Sequence, residues 1–564
     1  MEIRRPILIF VIGIALIAMV VAAPTSGASP AKIDPALAKK VSNGLDEKIP
    51  IIVMLNGKST PDLTDMDIKY RYRLINGVAG AATPTAIKRL SESDSVDGIY
   101  LDDSTHISAP ATDASGNEAI SPAKYVNADK LWAKGIDGKG VTVAVIDSGI
   151  DKNHPDLEGK VVGEKNFVDD EISADDLLGH GTMVAGIIAG SGAASGGKYK
   201  GIAPGASLLN VKVIDSSGNG KVSDIIAGIE WAIYNGANVL TLSLGGLNLG
   251  ETNPPITMAA DNAMDEGVVV CVAAGNRNST TVQSMTEANA ATADALTDAL
   301  TNVSTKASPG SVSAGQLDLS QIGRSANRNV LLLVVPIVLA LPPGLIDSPG
   351  DGVRVITVGA TDYLGHVANF SGSGPTRDGR TKPDVVGPGV DVVSAVPPGL
   401  EKPEYLDIYY AKESGTSLST PVAAGVAALL LQAQKNLTPA GVKAALTDGA
   451  KSLNNTLGET YEDYYQGSGL IDALGSYENL SNDLCAVVPN KWTPGRWAYL
   501  PAGKGIYVGL DVGADRPQKK LYSLAPGDED WDTQFTFFTD KERTNLTTTV
   551  SGSIADWMSV QPLP

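Results

Sequence analysis

Three residue types that together perform acyl transfer stand far apart in this chain, each in a setting suited to its task. Ser417 lies in Ser-Gly-Thr-Ser-Leu-Ser-Thr-Pro, residues 414–421, ahead of the small apolar run Val422–Leu431. That pattern puts it in the first turn of a buried helix, where unpaired N–H groups and the positive dipole end favour developing negative charge. Alone, the segment also reads as an ordinary capped core helix. A serine hydroxyl becomes a strong nucleophile only when a histidine takes its proton, and the histidine needs a carboxylate to fix its tautomer. Asp147 follows the continuous apolar run Val141–Ile146, and His180 stands between glycines in Gly-His-Gly-Thr, opening the small-residue helix Met183–Gly190. Only His106, His154, His180 and His366 are present, so few bases are on offer. Asn276 follows a second apolar run, Val268–Ala273. An amide aimed at a reacting carbonyl stabilises its oxyanion by roughly 10²–10³ in rate, although an Asn after Gly also serves as a turn residue.

In the order Asp, His, Asn, Ser these motifs resemble the subtilisin family (subtilases) of serine endopeptidases. The residues that carry the resemblance are Val-Ile-Asp147-Ser-Gly-Ile, Gly-His180-Gly-Thr, Ala-Ala-Gly-Asn276 and Gly-Thr-Ser417, with further echoes at His154-Pro-Asp-Leu, Ser243-Leu-Gly-Gly and Gly467-Ser-Gly-Leu-Ile-Asp472. It spans about residues 120–478. It implies a triad of Asp147, His180 and Ser417, an oxyanion donor in Asn276, and chemistry that needs no cofactor. It also implies that an extended polypeptide is clamped between Gly218-Asn219-Gly220 and Ser243-Leu244-Gly245, with Ala274 and Gly275 adding to the substrate site. Read as residues alone, both glycine-rich segments could be surface turns. Met183 and Val422 stand where many members carry histidines. Two other functions compete: a catalytically silent surface or binding protein, and an esterase. The first needs a broken triad position and none is broken; the second more naturally carries Gly-x-Ser-x-Gly, which Ser417 lacks.

The elements that must position these residues are legible. Strands are expected at Val141–Ile146, Leu208–Ile214, Asn238–Leu244, Val268–Ala273 and Val353–Val358, with helices between them such as Val222–Asn235, capped by Ser223 and ended by Gly236. The fold class is therefore α/β: a mostly parallel sheet covered by helices on both faces, with active residues outside the carboxyl ends of strands.

At 564 residues the chain exceeds one domain, and 63 acidic against 44 basic residues give a net charge of −19, which excludes nucleic-acid binding through a basic face. Residues 1–28 read as a signal peptide, positive at Arg4 and Arg5 and apolar over Ile7–Val21, so the protein is expected to be secreted or at the cell surface. Membrane contact is expected only through that segment, if it stays uncleaved. Residues 29–108 resemble the inhibitory pro-segment of subtilases, the alternative being an independent α+β domain; cleavage is expected within His106–Ser121, by Ser417 of the same chain. Residues 277–347 form an atypical insertion after Asn276 that hides the primary specificity pocket, where Arg277 would favour an acidic side chain. Residues 480–564 read as a small β-rich domain. Cys271 in a core strand is not expected to pair with Cys485. A structural calcium is common in the family, and Asp169, Asp170, Asp175 and Asp176 are the carboxylates to hand, with a solvated acidic surface as the other reading.

Overall fold

The computed structural model describes residues 32–42, 47–59, 61–107, 121–246, 254–276, 346–376, 378–400 and 405–480, together with four strands beyond them. The expected signal segment and nearly all of the insertion lie outside the described residues. The chain divides into two compact units: Met1–Arg71 with Asn76–Asp102, and Tyr72–Ile75 with Asp103–Pro564.

The first unit is α+β. Strands β1 (Ile49–Leu55), β2 (Met66–Tyr72), β3 (Gly77–Ala82) and β4 (Val96–Leu101) form a sheet of order β2-β3-β1-β4, with β1 antiparallel to β3 and β4. β1 is central because Ile51, Ile52 and Val53 are all fully buried. The helix Pro35–Ser42 starts where the Asp34 carboxylate accepts the amides of Ala36 and Leu37 (2.9 and 3.0 Å). The helix Pro84–Ser91 starts at a Thr83 cap with proline in its first turn. Leu37, Val41, Ile87 and Leu90 then close one core with Ile51, Val53 and Val78.

The second unit is built on parallel strands. β5 (Ser104–His106) is followed by β6 (Thr142–Asp147), β7 (Val161–Asn166), β8 (Ser207–Lys212), β9 (Asn219–Lys221), β10 (Val239–Leu242), β11 (Val269–Ala273), β12 (Ile356–Thr361) and β13 (Val385–Pro388). Seven of them make one sheet of order β13-β12-β11-β10-β6-β8-β7, parallel throughout. Alternate residues face opposite sides of such a sheet. Val143, Val145, Val239, Cys271, Ile356 and Val358 join one core with the helices His180–Ala189 and Thr416–Ala433. Ile146, of the other parity in β6, lies toward the helix Val222–Tyr234, where Gly228 leaves it room. Further along, β14 (Val392–Ala395) pairs with β15 (Tyr410–Glu413). β16 (Leu484–Val487), β17 (Trp497–Leu500), β18 (Asp532–Phe538) and β19 (Leu546–Ser553) form an antiparallel sheet of order β17-β16-β18-β19.

Two expectations shift. β12 begins at Ile356 because the buried Asp261 carboxylate captures the amides of Val353, Arg354 and Val355 (2.7–3.2 Å), which a ladder would otherwise use. The helix after β9 is capped at Lys221, whose side chain makes no cap bond, so Ser223 falls inside the first turn; Gly236, with φ +82°, ends it as expected.

Thr416–Ala433 has the length and composition to cross a membrane, yet Thr416 through Leu430 are buried: it is the core helix of this unit. Its small residues are a packing requirement. A Cβ built on Gly425 would stand 2.5 Å from Ile202 Cβ. Gly425→Val, made in a Ser417→Ala background to prevent self-cleavage, is therefore expected to lower unfolding free energy by about 1–3 kcal/mol in denaturant titrations. A change below about 0.5 kcal/mol would contradict this close packing.

Candidate active site

Asp147 is the last residue of β6, at the carboxyl edge of the sheet, and is fully buried. A buried carboxylate needs hydrogen bonds in place of solvent, and here one oxygen takes them while Oδ2 has no partner among the described residues. Its Oδ1 accepts the Ser148 amide (2.7 Å) and the Nδ1–H of His180 (2.8 Å). That second bond fixes the imidazole tautomer, leaving Nε2, which has no partner among the described residues, as the proton-accepting nitrogen. Burial disfavours the imidazolium, but the charge and hydrogen bond of Asp147, with the charges of Glu413 and Asp176, outweigh it and hold the His180 pKa above its ordinary value.

The backbone meeting that makes this contact possible is tight. A Cβ on Gly181 would run into the Gly149 carbonyl, so the loop after Asp147 and the helix of His180 touch main chain to main chain. Asp176 pins both sides. Its Oδ1 accepts the Ser148 hydroxyl and the Leu178 and Gly179 amides, while Oδ2 accepts the amide and hydroxyl of Thr182. A carboxylate at a helix N-terminus also meets the dipole favourably. Lys212, in register with Asp147 on β8, is fully buried, pairs with Glu171 (3.0 Å) and hydrogen-bonds the Ser148 carbonyl.

The nucleophile candidate is the second residue of the core helix. Pro421 carries no N–H, so the Ser417 carbonyl lacks the helical donor four residues on. The Ser243 hydroxyl supplies the bond instead (2.8 Å). Asn276 is oriented by Thr416, whose amide and hydroxyl both donate to Oδ1 (2.8 Å each). Its Nδ2 then lies on the side of Ser417: a Cβ built on Gly415 would be 3.0 Å from Asn276 Nδ2 and 2.9 Å from Ser417 Oγ.

A small pocket opens beside Ser417 between Ser243, Leu244 and Gly245 on one side and Ala273, Gly275 and Asn276 on the other, with Asp347 also in its lining. Ala274 does not line it; its carbonyl accepts the Asp347 amide instead. Gly218, Asn219 and Gly220 stand opposite Gly245, and β5 lies between these two edges. Ser104, Thr105 and His106 pair antiparallel with Lys221, Gly220 and Asn219, and His106 also bridges Gly245. The Ile107 amide donates to the Gly218 carbonyl (3.1 Å).

The four acidic residues named for calcium are not gathered. Asp176 is used as above, Asp169 pairs with Lys221 (3.2 Å), and no group of three or more His, Cys, Asp or Glu among the described residues could hold an ion. His154 accepts the Asp156 amide at Nδ1 and donates from Nε2 to the Tyr409 carbonyl, a structural post. Met183 and Val422 are core residues, and Cys271 is a buried free thiol. Thr416, Ser148 and Lys212 were missed by sequence reading. Only Thr416 had a signal, its place beside Ser417.

In the Ser417→Ala protein, NMR titration of the His180 ring is expected to show a pKa above that of free histidine. Asp147→Asn removes the charge that favours the imidazolium and is expected to move it downward. An unmoved titration would contradict the electrostatic account.

The subtilase family model matches residues 138–469, which include Asp147, His180, Asn276 and Ser417. Serine protease AprX of Bacillus subtilis is 34% identical over 433 residues, covering 72% of this chain and 80% of that protein. Subtilisin E of the same organism is 32% identical over 406 residues, covering 72% and 81%. The minor extracellular protease Vpr is 30% identical over 442 residues, covering 62% and 54%. A match of this breadth, over all seven strands of the parallel sheet, makes the chain a member of the subtilase family, a serine endopeptidase that needs no cofactor for catalysis and acts on polypeptides.

Proposed function

We propose that the protein is an exported, self-processing endopeptidase in which Asp147, His180 and Ser417 form the triad. Ser417 Oγ attacks the scissile carbonyl while its proton passes to His180 Nε2, and Asp147 stabilises the imidazolium. Asn276 Nδ2 and the amide of Ser417 in the first helical turn stabilise the tetrahedral oxyanion. The imidazolium then protonates the leaving amine, and water, activated by the same histidine, releases the acyl group.

The observation that carries this reading is β5, lying as an added strand between the Gly218–Gly220 and Ser243–Gly245 edges beside Ser417. Such a strand is how an extended substrate gains affinity through backbone bonds alone. His106, at the end of β5, pairs with Gly245 in antiparallel fashion. Ser243 is bonded to the Ser417 carbonyl. The cut then falls within His106–Ser121, at the end of the pro-segment 29–108, which after cleavage acts as an intramolecular inhibitor. Export rests on the charged and apolar start of the chain. A structural calcium is an expectation of family membership only.

Purified wild-type protein is expected to carry a mature N-terminus produced by a cut within His106–Ser121, to cleave casein, and to be labelled at Ser417 by a serine-directed phosphonate. Ser417→Ala is expected to stay uncut. Normal removal of the pro-segment by purified Ser417→Ala protein would defeat self-processing. Turnover of a simple ester with no casein cleavage would defeat the peptidase reading.

A further inference from the structure

We infer that the buried pair of Lys212 and Glu171 is a strut that holds the Gly218–Gly220 edge in place relative to Asp147. Lys212 is a positioning residue for the acid–base pair, and Glu171 is one for the peptide laid on that edge. This rests on the catalytic reading above and assigns two further residues to it.

The strut begins in the sheet. Asn166, Lys212 and Asp147 stand in one row across β7, β8 and β6, at the carboxyl ends of the three strands. Asn166 Nδ2 donates to the Val168 and Glu171 carbonyls, which shapes the turn that carries Glu171. Lys212 is fully buried, and its Nζ bonds the Ser148 carbonyl and pairs with Glu171 Oε2 (3.0 Å). The Ser148 amide donates to Asp147 Oδ1 (2.7 Å). Ser148 is thus held on both sides, its N–H by the carboxylate and its C=O by the ammonium. Burial pushes the Glu171 carboxyl up, but Lys212 and the Ser216 amide outweigh it and hold it below its ordinary value.

The other Glu171 oxygen leaves the sheet. Oε1 accepts the Ser216 amide (2.8 Å), two residues before Gly218. The turn to which Ser216 belongs is closed on itself. Asp215 Oδ1 accepts the Ser217 and Asn219 amides (2.8 and 3.0 Å), and the Asp215 amide donates to the Asn219 carbonyl (2.8 Å). Such bonds set the shape of the turn and leave its placement open. Among the described residues, 215–218 make two hydrogen bonds outside the turn: Ser216 to Glu171, and the Gly218 carbonyl from the Ile107 amide (3.1 Å). The second is the bond an added peptide strand makes, so the first must hold the turn ready for it. A Cβ on Gly220 would stand 2.6 Å from the Val213 carbonyl. The far end of the edge is therefore placed by main-chain packing, and the near end by Glu171.

Removing one charge of a buried pair strands the other, whereas replacing both by uncharged side chains is tolerated. Lys212→Met/Glu171→Gln keeps an amide oxygen for Ser216; Lys212→Met/Glu171→Leu does not. Each is assayed on one peptide substrate, with active protein quantified by phosphonate titration of Ser417. The first variant is expected to lose kcat by on the order of 10-fold with KM within about twofold of wild type, because only the hold on Ser148 is gone. The second is expected to share that kcat and to raise KM by on the order of 10-fold. A merely structural pair would move KM alike in both. Should either variant fail to mature, the uncut Ser417→Ala precursor carries the same comparison. Hydrogen exchange at the Ile107 amide is expected to be on the order of 10-fold faster with Glu171→Leu than with Glu171→Gln. Equal KM or equal Ile107 exchange in the two variants, or a wild-type kcat in the first, overturns the inference while leaving the peptidase reading intact. Absence of both labelling and casein cleavage in wild-type protein overturns the catalytic reading and the inference with it.

Discussion

Everything at the carboxyl edge of the sheet answers to one demand, the burial of the Asp147 carboxylate against His180. Removing a charge from water costs several kcal/mol unless hydrogen bonds replace the solvent. Asp147 is fully buried, and the Ser148 amide and His180 Nδ1 converge on the same oxygen. Those donors are in place only because the loop after β6 and the helix start at His180 touch at Gly149 and Gly181, with Asp176 tying the two together. The sheet adds its own contribution: the register of β6 with β8 sets Lys212 beside Asp147, and its ammonium holds the next carbonyl along. The acid–base pair is thus not a local motif but the meeting point of two strands, one loop and one helix.

Ser417, the proposed nucleophile, is held by a different device. Pro421 deprives the Ser417 carbonyl of a helical donor, a defect that would cost stability in an ordinary core helix. Ser243 repairs it with a side-chain hydroxyl. Ser243 also begins the edge that meets β5 at Gly245, so in the proposed reading one residue fixes the distance between serine and substrate backbone. Such positioning is a large part of what an enzyme can contribute, since misplacement by about 1 Å costs roughly 10²-fold in rate. Thr416 does for Asn276 what Ser243 does for Ser417, holding the amide oxygen so that the nitrogen faces the reacting side.

The sequence disclosed strands wherever apolar runs were continuous, because β-branched residues buried on both faces leave a pattern that no surface strand has. It disclosed Asp147, His180, Asn276 and Ser417 because each abuts such a run or a glycine-flanked helix start. It concealed what depends on distant partners. Asp176 looked like part of an acidic surface with Asp169, Asp170 and Asp175, and only the fold brings its oxygens to Ser148 and Thr182. The strand start at Val353 was misread because the competing acceptor, Asp261, lies in another helix. Lys212 read as one more residue of a strand, since nothing nearby in sequence announces a cation buried beside Glu171. Asp347 was hidden most completely, beyond a long insertion from the Gly275 it packs against.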